Sequence, residues 1–209
     1  MFVTFEGIEG AGKSSLIALL AATLRDRVTR LVVTREPGGT PLGDAVRAVF
    51  VDRRSEIAPL AEVFLLNASR AQLVEDVIAP AVREGATVLC DRFFDATVAY
   101  QGFGRGLDVD MLLDLALVAT NRIAPDITFL LDVTVEVSRR RVAARVAESG
   151  VPIDRLEHED DAFHERVRTG YHALAERFGR YVVLDAARPL ADLAADALAA
   201  IEHRGRAPG

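Results

Sequence analysis

Lysine is almost missing from this chain of 209 residues: of 25 basic residues 24 are arginine, and the only lysine is Lys13. Tryptophan is absent, and a single cysteine, Cys90, excludes an internal disulfide framework. Cys90 lies in an apolar run and reads as a core thiol in a reducing compartment. No apolar run approaches the ~18 residues of a membrane span, and no charged-then-apolar leader opens the sequence. A soluble, cytoplasmic protein with no membrane partner is expected. A net charge of −6 and a pI near 5.3 leave no broad basic surface, which argues against nucleic acid as a partner. The histidines at 158, 164, 172 and 203 lack metal-ligand spacing with the cysteine and are expected to face solvent.

What is present begins with Gly7-Ile8-Glu9-Gly10-Ala11-Gly12-Lys13-Ser14, a complete G-x-x-x-x-G-K-S phosphate-binding loop. Phe2–Phe5 before it reads as a buried strand, and Leu16–Leu20 after it as helix, the context in which such a loop works. Successive backbone N–H groups cradle an anion there, and the positive end of the helix dipole faces it. Lys13 can bridge the β- and γ-phosphates, and the Ser14 hydroxyl can ligate Mg²⁺. Arginine serves wherever else a base is needed; here a compact ammonium on a flexible stem is required.

Further strands are expected at Leu31–Thr34, Thr87–Asp91, Ile127–Asp132 and Tyr181–Asp185, alternating with helices from Lys13, Leu42, Pro59, Ala96, Val109, Glu136, Asp160 and Leu190. Pro59–Arg83 reads as one helix stopped by Gly85. Five short, continuously apolar strands alternating with helices predict an α/β fold, a five-stranded parallel sheet with helices on both faces. The chain divides into one domain over residues 1–204 and a tail, 205–209, expected to be disordered. A polar segment at about 146–158, containing glycine and proline, is expected to be a mobile lid.

Ligands of such sheets bind at the carboxyl ends of the strands, where the phosphate loop, Arg35, Asp91, Arg92 and Asp185 converge. Arg35 and Arg92 are not needed for a triphosphate the loop already holds, so they suit a second anion, and phosphoryl transfer is the implied chemistry. Asp91 and Asp132 both end strands; Asp91 is the better carboxylate for Mg²⁺ or its water shell, and Asp132 reads as a helix cap. Arg139, Arg140, Arg141 and Arg145 precede the lid and Arg155 lies within it. Closure is expected to bring Arg145 and Arg155 onto the transferring group as arginine fingers in cis.

Read together, Phe5–Ser14, Thr34-Arg35-Glu36-Pro37-Gly38-Gly39-Thr40, Asp91-Arg92, Ala99-Tyr100-Gln101-Gly102 with Gly104-Arg105-Gly106, and Asp154-Arg155-Leu156-Glu157 resemble the bacterial thymidylate kinases over nearly the whole chain. The resemblance implies a P-loop nucleotide kinase fold, a homodimer, and transfer of the γ-phosphoryl group of ATP to dTMP with Mg²⁺. It implies an ATP site of Gly7 to Ser14 with Ser15, next to the metal that Ser14 and Asp91 are expected to hold, the latter directly or through water. It implies a dTMP site in which Glu9 lies by the sugar 3′-OH, Arg35 and Arg92 hold the phosphate, and Arg70 and Thr97 face the thymine edge. Tyr100 and Gln101 then lie by the deoxyribose, with the tyrosine ring where a 2′-OH would sit. Lys13, Arg92, Arg145 and Arg155 would be catalytic. Ala11 inside the loop matches members whose catalytic arginine comes from the lid. Two departures bear on base selectivity: Leu66 stands where many members have a phenylalanine, and Ala96 where a serine is common. Rival readings are a kinase for dUMP or dCMP, or a nucleotide switch or ATPase; the switch lacks an N-K-x-D base-reading motif.

Overall fold

Every residue of the first strand is buried, and its side chains serve two different cores. In the computed structural model, which describes residues 1–206, β1 is Phe2–Glu6. Val3 and Phe5 pack with the apolar face of α1 (Lys13–Leu24), while Phe2 packs with Val88, Cys90 and Phe93 on the other side. A strand covered on both faces has no polar face to alternate with, which is why it reads as a continuous apolar run. Its one internal polar side chain, Thr4, meets Thr128 Oγ1 at 3.0 Å.

The remaining strands are β2 (Leu31–Arg35), β3 (Thr87–Asp91), β4 (Ile127–Asp132) and β5 (Tyr181–Asp185). All pair in parallel in the order β2-β3-β1-β4-β5. The register sets Arg35 beside Asp91, Phe5 beside Asp91, and Asp132 beside Asp185. The polar strand ends therefore lie along one rim of the sheet. The expected α/β fold and its five strands are all present.

Helices α2 (Pro41–Val51) and α3 (Pro59–Leu73) follow β2. Pro59–Arg83 is helical throughout, as expected, but Val74–Ile78 widens into a π-helical turn before α4 (Ala79–Arg83). Pro80 has no N–H to give, and the wider turn accommodates that gap. A second π-helical stretch, Val98–Gly104, extends α5 (Phe94–Thr97) and carries Tyr100 and Gln101. It lies close against α8 (Asp161–Arg177): a Cβ on Gly104 would come within 2.7 Å of the Phe163 ring.

The chain is completed by α6 (Val109–Ala119), α7 (Val135–Ser149) and α9 (Leu190–Arg206). Two of the boundaries that differ from expectation bear on the lid and the tail. Residues 146–149 belong to α7, which ends at Gly150 in the left-handed conformation, so the irregular lid begins there. Helix α9 runs through Arg206, so the first two residues of the expected tail are helical and 207–209 lie outside the described residues. Among the described residues no helix is long and apolar enough to cross a membrane.

Candidate active site

The phosphate loop rises from the carboxyl end of the central strand β1. Gly7 takes φ 134°, and a Cβ there would stand 2.4 Å from the Leu131 carbonyl oxygen, so only glycine fits. Helices α2, α6, α7 and α8 are capped by the side chains of Thr40, Asp108, Thr134 and Asp160. Helix α1 has Gly12 at that position, no side-chain cap and no acidic residue in its first turn. Its free N–H groups and dipole are thus left for an anion. Lys13 Nζ donates to the carbonyls of Gly7 at 3.0 Å and Ile8 at 3.1 Å. Burial, and then the Arg92 charge, push the Lys13 pKa down to about 8 against the pull of Asp91, Glu9 and Glu6. Ser14 Oγ donates to Asp91 Oδ2 at 2.9 Å.

The loop opens into a cleft of about 1360 Å³ whose far wall carries arginines from several elements. Arg35 ends β2, is exposed, and makes one long contact of 3.4 Å to Asp44. Arg92 follows β3 at φ 69°, a strained conformation for a residue with a side chain. Its guanidinium donates to Glu9 at 2.7 Å, Tyr171 at 2.9 Å and Tyr100 at 3.2 Å, and lies 5.1 Å from the Tyr100 ring centre. The Tyr100 hydroxyl donates to the Glu9 carboxylate at 2.7–2.8 Å. Burial would raise the Glu9 pKa, but Arg92 and Lys13 outweigh it and hold the carboxyl below its usual range. Arg70, 1% exposed, donates to Glu36, Asn67 and Thr97, each at 2.9 Å. Burial, opposed by Arg70, raises the Glu36 carboxyl to about 7. Leu66 is buried in the cleft wall, whereas Phe64 is 56% exposed and points away from it.

On the lid side, Arg145 grips Glu157 with two bonds of 2.8 Å and faces the cleft. Arg141 also lines the cleft, donating to Gly10 O at 3.3 Å and Ala186 O at 2.9 Å. Arg155, expected to reach the transferring group on lid closure, lies away from the phosphate loop in this structure. Its side chain is largely buried to the side of the cleft, donating to Glu62 at 2.5 Å and to Phe50 O at 3.2 Å, and forms no part of the cleft wall.

The structure thus brings Glu9, Arg35, Leu66, Arg70, Asp91, Arg92, Thr97, Tyr100, Gln101 and Arg145 to one cleft with Gly10–Ser15, while Gly7 and Ile8, the buried start of the loop, do not line it. Asp132 is no helix cap: Thr134 caps α7, and Asp132 is held by Arg168 at 2.7 and 2.8 Å with His172 at 3.2 Å. His164 is buried, not solvent-facing. Sequence reasoning missed the carboxylates that aim the arginines. Glu36, Glu62 and Glu157 are all buried, and Glu6 accepts from Phe93 N at 2.7 Å and Tyr171 Oη at 2.8 Å, bracing the turn that carries Arg92. A glutamate in an otherwise apolar strand, as in Phe2-Val3-Thr4-Phe5-Glu6, is the one local signal that could have found them.

The sequence model of the family described as Thymidylate kinase matches residues 5–197. The chain is 51% identical over 187 residues to "Thymidylate kinase" of Citrifermentans bemidjiense, covering 88% of this chain and 83% of that one. It is 48% identical over 206 residues to that of Deinococcus radiodurans, 98% of each. The crystal structure of thymidylate kinase from Ehrlichia chaffeensis superposes with a TM-score of 0.72 at 33% identity, covering 88% of this chain and 91% of that one. With a parallel sheet, an uncapped phosphate loop and an arginine-lined cleft in agreement, the chain belongs to the thymidylate kinase family, ATP-dependent kinases of a nucleoside monophosphate.

Proposed function

We propose that this chain moves the γ-phosphoryl group of ATP onto dTMP, giving ADP and dTDP, with the residues in the following roles. The free amides of α1 and the loop from Gly7 to Ser15 hold the donor phosphates, with Lys13 as their counter-charge. Arg35 and Arg92 hold the acceptor phosphate, and Arg47, which lines the same cleft, joins them. Arg70 and Thr97 take the thymine edge, with Leu66 as its apolar floor. Tyr100, steered by Glu9, fills the space beside the sugar 2′ carbon, and Gln101 completes that wall. The nucleophile is an acceptor phosphate oxygen already carrying charge, so no general base is needed; alignment and neutralisation of developing charge carry the rate. Arg145, with Arg141 beside it, supplies that neutralisation from α7. Arg155 is left out of this set because its guanidinium is committed elsewhere.

Mg²⁺ fits the Ser14–Asp91 pair, an all-oxygen donor set suited to a hard cation. Among the described residues there is no group of three or more His, Cys, Asp or Glu that could cage a metal, consistent with a cation that shares its shell with phosphate and water. Bound there, Mg²⁺ would neutralise charge on the β- and γ-phosphates. A homodimer is supported by the outer faces of α3 and α6, which pack together and leave Phe64 56% and Val118 81% exposed beside Leu60, Met111 and Leu117. Light scattering should return twice the 22.6 kDa chain mass. A cytoplasmic setting accords with the free, buried thiol of Cys90.

The observation that carries the reading is the convergence of Arg35 and Arg92, from the ends of two strands, on the cleft that holds Lys13 and the uncapped α1. The test is a coupled ADP assay with ATP, Mg²⁺ and dTMP, dUMP or dCMP as acceptor. The dTMP reaction should be fastest and should stop when EDTA removes the metal. A faster dCMP reaction would overturn the roles of Arg70 and Thr97, and no diphosphate from any acceptor would overturn the proposal.

A further inference from the structure

Glu62 has no exposure to solvent, yet its carboxylate gathers three donors from three parts of the chain. Gln101 Nε2 donates at 2.7 Å from the acceptor wall, Arg105 at 3.3 Å from the end of the π-helical stretch, and Arg155 at 2.5 Å from the lid. Arg155 also donates to the Phe50 carbonyl and stacks over the Phe50 ring at 4.9 Å. Phe50 lies in the last turn of α2 and Glu62 in the first turn of α3, both on the acceptor side of the cleft.

We infer that Arg155 is the latch of the lid: it fastens the Gly150–Asp160 loop to the acceptor wall through Glu62 and Phe50, and is a positioning residue for the reaction rather than a ligand of the transferring phosphoryl group. The opposite edge of the loop is tied to α7, where Arg139 donates to the carbonyls of Glu157 and Glu159 and Arg145 holds the Glu157 side chain. Between the two edges the loop is internally braced, since Glu157 N donates to Asp154 Oδ1 at 2.8 Å and Asp154 N donates back to Glu157 Oε2 at 3.0 Å. A braced loop pinned along α7 can close across the cleft only by contacts to the other side, and Arg155 makes the one that reaches Glu62 and Phe50, with Arg105 on Glu159 at 2.7 Å beside it.

The latch is also built to release. A buried carboxylate stripped of its only cation is strongly unfavourable. Glu62 keeps Arg105 and Gln101 when Arg155 leaves, so opening strands no charge. Because Gln101 shares the carboxylate, the acceptor wall and the lid are joined at one buried group. Arg145 has the opposite character: its carboxylate partner is on the lid itself, and the residue lines the cleft. The two arginines that look alike in sequence therefore divide the work, one positioning the lid and one meeting the substrate.

The catalytic arm of this inference rests on the proposed transfer to dTMP; the structural arm does not. Hydrogen exchange followed by mass spectrometry on the full chain reads lid opening directly, with and without dTMP. Arg155→Met keeps an apolar stem against Phe50 and removes the donor. It should speed exchange across residues 150–160 by about tenfold or more while lowering kcat by less than about 100-fold, well short of the ~10³–10⁵ expected for an arginine finger. Arg155→Lys should restore part of the protection. Unchanged exchange in Arg155→Met, or a thousandfold fall in kcat, overturns the latch. Glu62→Gln should loosen the same segment, and if that variant fails to fold, Arg155→Met decides alone. A wild-type chain that makes no dTDP would sink the substrate reading and leave the exchange result standing.

Discussion

In the proposed transfer the phosphate loop and the lid side both meet phosphate, and they do it with different materials. The loop uses main-chain amides over eight consecutive residues, with Lys13 buried against the carbonyls of its own loop. The lid side uses the guanidinium groups of Arg145 and Arg141, and every arginine there already has a partner: Arg145 has Glu157 and Arg141 two main-chain carbonyls, while Arg139 and Arg155, outside the cleft wall, have Asp161 and Glu62. Function in the loop is a property of backbone shape, so it is local. Function in the lid depends on which carboxylate has claimed which arginine, so it is distributed over elements far apart in sequence.

The sharpest way to break this contrast is Arg145→Ala. If Arg145 neutralises charge that exists only in the transition state, kcat should fall by about 10³-fold, the lower end of the finger range because Arg141 lines the same wall. ATP affinity, measured by titration, should change by no more than about threefold. A loss of affinity with kcat intact would make the lid a binding device only. The next effect belongs to the loop. Lys13→Met removes one preorganised donor and should cost about 10²–10³ in kcat, with ATP binding weakened as well. Lys13→Arg should not restore activity, because a planar fork does not fit the space beneath the Gly7 and Ile8 carbonyls where the ammonium sits. Recovery by arginine would show that charge alone suffices and that the loop is less particular than its geometry indicates.

How far the site was legible in the sequence follows the same division. Gly7, Gly10 and Gly12 are readable because positive φ and close approach leave glycine little competition, and the structure gives all three positive φ. The five strands are readable because burial on both faces makes them uninterrupted apolar runs. Arg35 and Arg92 are readable by position, as the residues that end β2 and follow β3 on the rim where ligands bind. Arg155 was not. Its target depends on Glu62, which lies 93 residues away in sequence, and nothing in Asp154-Arg155-Leu156-Glu157 says whether the guanidinium turns into the cleft or out of it. His164 was misread for a related reason. Its burial is set by packing of α8 against the π-helical stretch that carries Tyr100, and a π-helical turn has no signature in apolar spacing. The boundary of α7 slipped by four residues because Val146–Ser149 is polar enough to pass for loop, and the glycine that ends the helix comes only at 150.

A smaller effect tests the acceptor wall itself. Leu66 offers the base an apolar surface without a ring, and Phe64 is turned away. Leu66→Phe should add stacking worth about 1 kcal/mol and lower KM for dTMP about fivefold with kcat little changed. An unchanged KM would mean that Arg70 and Thr97, rather than the face of the base, set affinity.

The smallest effect concerns what holds the two halves of the site together. Glu6 sits at the end of β1, next to the loop, and accepts from the Phe93 amide and the Tyr171 hydroxyl, so it links the phosphate loop to the turn bearing Arg92. Burial, and then the neighbouring Asp95, raise its pKa from 4.5 to about 8, although Arg92 pulls the other way. A carboxyl whose folded pKa lies above its unfolded value binds more protons in the native state, so stability falls as pH rises from 4.5 towards 8. Glu6→Gln is neutral at every pH, and its amide can still accept from Phe93 N and donate to the Tyr171 oxygen. The variant should therefore match wild type near the acid end of that window and melt progressively higher than wild type as pH rises through it. A gap in Tm that does not change with pH would mean that Arg92 keeps the Glu6 carboxylate charged throughout. The brace between loop and acceptor wall would then be an ion pair instead of a shared proton.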